Sequence, residues 1–159
     1  MRIRTLLFCI FILQFPLFAH ATIVTPSQAR ILQQAIRIGT QLREGRKLAA
    51  IVYQESSLGA FPDSSGHYGV GSCSWFVYHH VVRTHQWLAR YFRGHNWATV
   101  LVSNPVVALW VAGYWLQHCR RIAGTWPGAF AMYRYGAPSD PGRYPFRVDA
   151  RLVALRSVS

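Results

Sequence analysis

Acidic side chains are scarce in this chain of 159 residues, which has five Asp and Glu against 17 Lys and Arg. The five are Glu44, Glu55, Asp63, Asp140 and Asp149. Glu44, Asp63 and Asp140 stand beside Arg, Gly, Pro or Ser, and Asp149 lies two positions from an arginine on either side. Solvent is the expected neighbour of all four. Glu55 alone follows a mostly apolar run, residues 48–54, which is typical of a buried helix. Because burial disfavours an ionised carboxylate, Glu55 is the best candidate for an acid that keeps a proton and donates it.

Internal repeats, low-complexity tracts and linkers are also lacking, so the length corresponds to one domain. Two arginines and an apolar run from Leu6 to Phe18 precede Ala19-His20-Ala21, which has the small-x-small pattern of a cleavage site. This predicts a signal peptide in residues 1–21 and a periplasmic or secreted domain in residues 22–159. We expect no permanent membrane span after cleavage; an uncleaved N-terminal anchor is the alternative.

Cysteine is nearly absent. Cys9 lies in the predicted signal, so the mature chain keeps Cys73 and Cys119. Export to an oxidising compartment favours a disulfide between them over two free thiols. Two buried thiols are the alternative reading.

Lysine occurs once, at Lys47, and the other 16 basic residues are arginines. Without Arg2 and Arg4 the mature domain has 15 basic residues against 5 acidic ones. Such a charge indicates a polyanionic partner. The signal peptide argues against nucleic acid and favours an anionic cell-wall polymer or membrane surface, while charge that serves solubility alone remains the alternative.

Hydrophobic periodicity, caps and the positions of Pro and Gly predict a mainly helical chain. The predicted helices are 27–43, 46–55, 74–90 with a break near residue 84, 104–122, 126–135 and 144–156. Residues 59–71 are dense in Gly, Ser, Pro and Asp, which predicts a loop or a small irregular hairpin.

Four short motifs follow one another along the chain. They are Glu55-Ser56-Ser57, the segment Gly66-His67-Tyr68-Gly69-Val70-Gly71, Asn104-Pro105 with the later Ala112-Gly113-Tyr114-Trp115-Leu116, and Ala129 to Gly136. In this order and at this spacing, the chain resembles the soluble lytic transglycosylase family of the lysozyme-like superfamily. The resemblance covers roughly Leu48 to Gly136.

This resemblance implies a mainly α fold, a lysozyme-like α+β domain with a short irregular β or loop segment after the catalytic helix. It also implies a cleft that binds the glycan strands of peptidoglycan and cleaves the β-1,4 bond between N-acetylmuramic acid and N-acetylglucosamine. Glu55 would be the single acid/base, because the sugar's own 6-hydroxyl attacks the anomeric carbon and leaves a 1,6-anhydromuramoyl end. No cofactor is implied.

Residue by residue, the resemblance implies further roles around the cleft. Ser64 would occupy the position of a cleft serine, and Gly66 and Gly69 would shape the loop that approaches the sugar. Tyr133 would match the tyrosine that reaches towards the acid. By analogy, an envelope-spanning secretion or conjugation complex is a second expected partner.

Two positions depart from the family pattern. Ser72 stands where the family usually has glutamine, and Arg134 where it usually has asparagine, so both are expected in the cleft with altered chemistry. They leave open an alternative function, a catalytically impaired cationic protein that binds the wall or a secretion complex.

The remaining candidates are weaker. Asp63 is the nearest second carboxylate and would serve a lysozyme-like hydrolase, although an exposed turn aspartate is the commoner explanation. His79, His80 and His85 are not spaced to share one helix face, so no metal site is expected.

Overall fold

The structure is a computed structural model that describes residues 25–138 and 142–156, apart from the side chain of Ser64. The predicted signal peptide and Asp140 lie outside the described residues. The helices are α1 (Pro26–Gln41), α2 (Arg46–Ser56), α3 (Trp75–Thr84), α4 (Gln86–Ala89), α5 (Trp97–Ser103), α6 (Pro105–Ala123), α7 (Trp126–Tyr135) and α8 (Tyr144–Arg156), and the strands are β1 (Asp63–Ser64) and β2 (His67–Tyr68). The predicted mainly α class is confirmed.

Local capping chemistry explains the helix boundaries that the sequence predicted. Asn104 caps α6 by accepting a hydrogen bond from the Val107 amide, Pro105 occupies the first turn, and Gly124 ends the helix in the left-handed region. These are the residues preferred at such positions, because they satisfy terminal backbone groups or adopt the required φ without a Cβ clash. The predicted break near residue 84 is confirmed between α3 and α4.

One helix was not predicted. α5 is only seven residues long, and it begins where the Asn96 side chain accepts hydrogen bonds from the amides of Ala98 and Thr99. Val100 and Leu101 are its buried side chains. Two buried residues in two turns are too short a pattern for periodicity to identify, so tertiary packing determines this helix.

The predicted hairpin is confirmed in residues 63–68. Asp63 pairs with Tyr68 and Ser64 with His67 in an antiparallel register. The two residues of the turn, Ser65 and Gly66, both have positive φ, which is the geometry that matches the twist of a tight two-residue hairpin.

The helix α6 lies at the centre of the core and packs against α1, α2, α3, α5 and α7. The helix α8 packs against α2 and α7, which places its first turn beside the C-terminal end of α2. Among the described residues no single helix is long and apolar enough to cross a membrane. Together α5 and α6 have sufficient length and apolar composition, but they are bent by 108° where they meet.

Candidate active site

The C-terminal end of α2 positions Glu55. Residues 48–52 of this helix are completely buried, so packing fixes the helix and leaves its last turn at the edge of the core. The side chain of Glu55 is only 5% exposed. The prediction that a buried helix delivers Glu55 at its end is confirmed.

The hydroxyl of Ser56 links this end of the helix to the following loop by hydrogen bonds. This hydroxyl lies 2.7 Å from the carbonyl oxygen of Val70 and 3.1 Å from that of Val52, and it accepts a hydrogen bond of 2.9 Å from the Gly59 amide. The side chain is buried. Ser56 therefore holds the backbone on either side of Glu55, and its role is to position the site.

We expect Ser56→Ala to reduce the free energy of unfolding by about 1–3 kcal/mol, because it leaves buried backbone groups without their partner. Urea unfolding of the wild type and the variant measures this difference. Ser57→Ala is the matched control, since it makes the same change at a half-buried neighbour. A loss at position 56 no larger than at position 57 would show that the buried hydroxyl does not hold this loop.

Both oxygens of Glu55 accept hydrogen bonds from residues of α7 and α8. The Tyr144 hydroxyl donates to Oε1 at 2.5 Å, and Nη1 of Arg134 donates to Oε2 at 3.1 Å. Burial raises the pKa of Tyr144 well above its ordinary range, and the Glu55 charge raises it further. Tyr144 therefore keeps its proton and donates a hydrogen bond to Glu55 at any working pH.

Arg134 changes the surroundings expected for Glu55. The sequence predicted an apolar setting, whereas the carboxylate forms an ion pair with a guanidinium whose side chain is 45% exposed.

Tyr133 lies in the same cleft but does not bond Glu55. Its hydroxyl donates to the carbonyl oxygen of Gly71 at 2.8 Å. Burial raises the pKa of Tyr133, and the nearby Cys73 and Glu55 contribute in the same direction. The tyrosine that bonds the acid is instead Tyr144, which lies beyond the segment that carries the motifs and was missed for that reason.

Two cavities meet at Glu55, and both are lined by Ser72 and Arg134 as well. The first cavity, of about 220 Å³, adds mainly aromatic and apolar side chains, including Phe76, Trp115 and Tyr133. The second cavity, of about 300 Å³, is polar and lies between the ends of α2 and α7 and the start of α8. The structure thus brings together Glu55, Ser72, Arg134 and Tyr133 of the predicted site residues.

The other predicted cleft residues belong to the supporting loop. Gly69 has a φ of +74°, and a Cβ there would lie 2.7 Å from the Leu101 carbonyl oxygen and 2.9 Å from the Ala108 Cβ. Gly66 forms the hairpin turn, where a Cβ would meet nothing within 4 Å. Ser64 lies in β1. Because Gly69 has no side chain, the loop can pack directly against α5 and α6. This close packing positions Ser72.

Cys73 and Cys119 are buried free thiols, so the disulfide predicted between them is not formed in this structure and stays a prediction. Burial raises the pKa of each thiol to about 12. Both thiols are therefore protonated at neutral pH and unsuited to nucleophilic chemistry.

The expectation that Glu44 faces solvent is wrong. The residue is 7% exposed, and its Oε2 has no hydrogen-bond partner among the described residues. Burial raises the pKa of Glu44, and the charges of Lys47 and Arg120 offset this only in part. The turn between α1 and α2 buries it against α6, in a cavity of about 510 Å³ that does not include Glu55. Glu44 is thus a second buried acid, but it belongs to a different part of the molecule.

The remaining described acids lie outside the two cavities that contain Glu55. Both of them, Asp63 and Asp149, are exposed. Between residues 25 and 138 and between 142 and 156, no group of three or more His, Cys, Asp or Glu side chains is arranged to hold a metal ion.

Comparison with known proteins gives no match, whether to a family model, to a curated protein or to a solved structure. Function is therefore inferred from the geometry around Glu55 and from the motif resemblance.

Proposed function

We propose that the chain is an exported peptidoglycan lytic transglycosylase, located in the periplasm or secreted, with Glu55 as its acid/base. The observation that carries the proposal is the burial of Glu55 at the junction of two cavities. Among the described residues it is the sole carboxylate that lines either one. Glycosidases that use water need two carboxylates flanking the bond, whereas intramolecular attack needs one.

One carboxyl group is sufficient for both proton transfers. Glu55 donates its proton to the glycosidic oxygen as the bond to the anomeric carbon breaks, which leaves a free 4-hydroxyl on N-acetylglucosamine. The 6-hydroxyl of the muramoyl residue then bonds to the anomeric carbon, and the Glu55 carboxylate accepts its proton. The products are a 1,6-anhydromuramoyl end and a regenerated acid, and no water is consumed.

The two oxygens of Glu55 differ because Tyr144 donates a hydrogen bond to only one of them. The Tyr144 hydroxyl occupies Oε1 and keeps its proton, so this oxygen is held as an acceptor. Oε2 is bonded to a half-exposed arginine, so it is the oxygen that a movement of Arg134 makes available. Proton transfer is therefore assigned to Oε2.

Exposed aromatic side chains beside the first cavity support a glycan ligand. Phe76 is 62% exposed and Trp75 is 56% exposed, and Trp75 stacks on His79 with the ring centroids 4.8 Å apart. Large apolar rings left in solvent next to a cleft commonly mark a binding surface. They would pack against the apolar faces of sugar rings.

The ion pair between Arg134 and Glu55 favours a second candidate, a catalytically impaired cationic protein that binds the wall or an envelope-spanning secretion or conjugation complex. A guanidinium on Oε2 blocks the oxygen that would carry the proton. A peptidoglycan zymogram separates the two functions. The transglycosylase produces a cleared band, whereas the binding protein is retained by the wall material without clearing it.

We expect attachment to purified wall material to weaken as salt rises above physiological strength, because screening shortens the range of attraction between exposed charges. The exposed guanidinium groups include Arg83, Arg90, Arg93 and Arg121, and Arg120 is half-buried over the Trp126 ring. Sedimentation with wall fragments at low and high salt measures the bound fraction. Binding that does not change with salt would show that this charge plays no part in attachment.

A further inference from the structure

Two arginines beside Glu55 are not used by the catalytic scheme above. Arg143 immediately precedes α8 and Arg147 lies one turn into it. Both line the second cavity together with Glu55 and Arg134. Within residues 25–138 and 142–156, the ion pair found is the one between Arg134 and Glu55. Neither Arg143 nor Arg147 forms an ion pair with a described carboxylate.

The N-terminus of α8 lies beside these arginines and makes the accumulation of positive charge energetically unfavourable. The N-terminus of a helix carries a partial positive charge, which is stabilised by anions and destabilised by cations. There is no acidic residue in the first turn of α8. Among the described residues, three guanidinium groups and one carboxylate therefore line the cavity at this helix N-terminus. An anion in the cavity would relieve this imbalance.

The shape and chemistry of the cavity fit a carboxylate. Its volume of about 300 Å³ is many times the roughly 10–15 Å³ that one water molecule requires, so a carboxylate has room. Besides the arginines it is lined by Gln54, Ser72 and Tyr135, whose polar groups can hydrogen-bond a ligand. Guanidinium groups bind planar oxyanions through two parallel hydrogen bonds, which a carboxylate accepts.

We propose that Arg134, Arg143 and Arg147 form a subsite for a carboxylate carried by the muramoyl residue at the scissile bond, and that this carboxylate draws Arg134 away from Glu55. The inference rests on the proposed function. In peptidoglycan such a carboxylate belongs either to the free lactyl group of a muramoyl residue without its peptide or to the attached stem peptide.

Burial determines which partner of the ion pair moves. The Glu55 side chain is 5% exposed and fixed by Tyr144, whereas the Arg134 side chain is 45% exposed. Arg134 therefore turns towards the ligand and releases Oε2 of Glu55. The freed oxygen binds a proton from solvent, and this is the proton that Glu55 transfers to the glycosidic oxygen. Substrate that bears the anion activates the site, and neutral glycan leaves Oε2 occupied.

Binding of small carboxylates to the mature protein tests this subsite. The probes are N-acetylmuramic acid, its lactyl N-methylamide and N-acetylmuramoyl dipeptide, and titration calorimetry or NMR measures their Kd. We expect N-acetylmuramic acid or the dipeptide to bind at least tenfold more tightly than the methylamide, because charge-assisted hydrogen bonds are lost in the amide. Preference for the first identifies the lactyl carboxylate as the ligand, and preference for the dipeptide alone identifies the stem peptide.

The double variant Arg143→Gln/Arg147→Gln is expected to bind the carboxylate probes no more tightly than the methylamide. Arg30→Gln/Arg37→Gln removes the same charge from exposed positions on α1 and should keep the preference for the carboxylates. The subsite is contradicted if the methylamide binds as tightly as both carboxylates, or if the α1 variant loses the preference equally.

Measuring peptidoglycan cleavage as well as binding distinguishes a failure of the subsite from a failure of the proposed enzyme activity. A wild-type protein that prefers the carboxylate but never cleaves peptidoglycan would retain the subsite and refute the enzyme. A protein that cleaves free and methylamidated strands with equal kcat/KM, and shows no preference in binding, would retain the enzyme and refute the subsite.

Discussion

Glu55→Gln should lower the rate of peptidoglycan cleavage by at least about 10²–10⁴-fold, the usual contribution of a general acid. The amide has nearly the size of the acid, and it can still accept from Tyr144, but it can neither give nor take the proton that the glycosidic oxygen requires. The rate at which soluble fragments are released from sacculi measures the loss.

Glu44→Gln is the matched control for that measurement. It makes the same change at another buried acid, in a cavity that does not contain Glu55. We expect it to keep the wild-type rate, so that a loss confined to position 55 reflects chemistry and not the removal of a buried charge. Undiminished activity in Glu55→Gln would make that residue structural.

Gly69→Ala should reduce the free energy of unfolding by about 2–5 kcal/mol, the sum of left-handed backbone strain and overpacking. The added methyl would contact a backbone oxygen of α5 at 2.7 Å and the Ala108 Cβ at 2.9 Å. The helices cannot easily yield, so the loop that carries Ser72 would move. Denaturant unfolding measures the change, and cleavage activity should fall with it.

Gly66→Ala is the control for backbone strain alone. Gly66 also has a positive φ, of +85°, but a Cβ there would meet nothing within 4 Å. We expect a loss of about 1–2 kcal/mol from the conformation. Equal losses at the two glycines would refute the claim that contact between the loop and the core positions the site.

The helices that were predicted correctly are marked by capping residues, Pro or Gly within a few residues of their ends. α7 begins after the capping Thr125, has Pro127 in its first turn, and ends at Gly136 in the left-handed region. α2 follows Gly45 and continues through an apolar run to Glu55. Because caps and periodicity are local, a single sequence is sufficient to place these elements.

The contacts of the site depend on packing between distant segments, which local patterns do not specify. Arg134 was recognised as an unusual cation in the cleft, but its ion pair with Glu55 joins residues 79 positions apart. Tyr144 reaches Glu55 across 89 positions because α8 packs against α2 and α7. No spacing within the chain indicates either partner.

Glu44 was placed wrongly for a similar reason. Charged and glycine neighbours suggest a solvent-exposed turn, but this turn folds back onto the end of α1, where the Glu44 amide donates to the Gly39 carbonyl oxygen at 2.6 Å. The side chain of Gln117 on α6 donates to the Leu42 carbonyl oxygen at 2.7 Å. The turn is thereby held against the central helix, and its acid is buried.

The chemical form of the reaction product tests the central claim most directly. Sacculi digested by the wild-type protein should yield fragments that end in 1,6-anhydromuramoyl residues, identified in mass spectrometry by a mass lower by one water than that of reducing ends. Glu55→Gln should yield none of them above background. Reducing ends as the main product would contradict the account, because they require an activated water and a second catalytic group, and Glu55 is the one carboxylate among the described residues that lines this cleft.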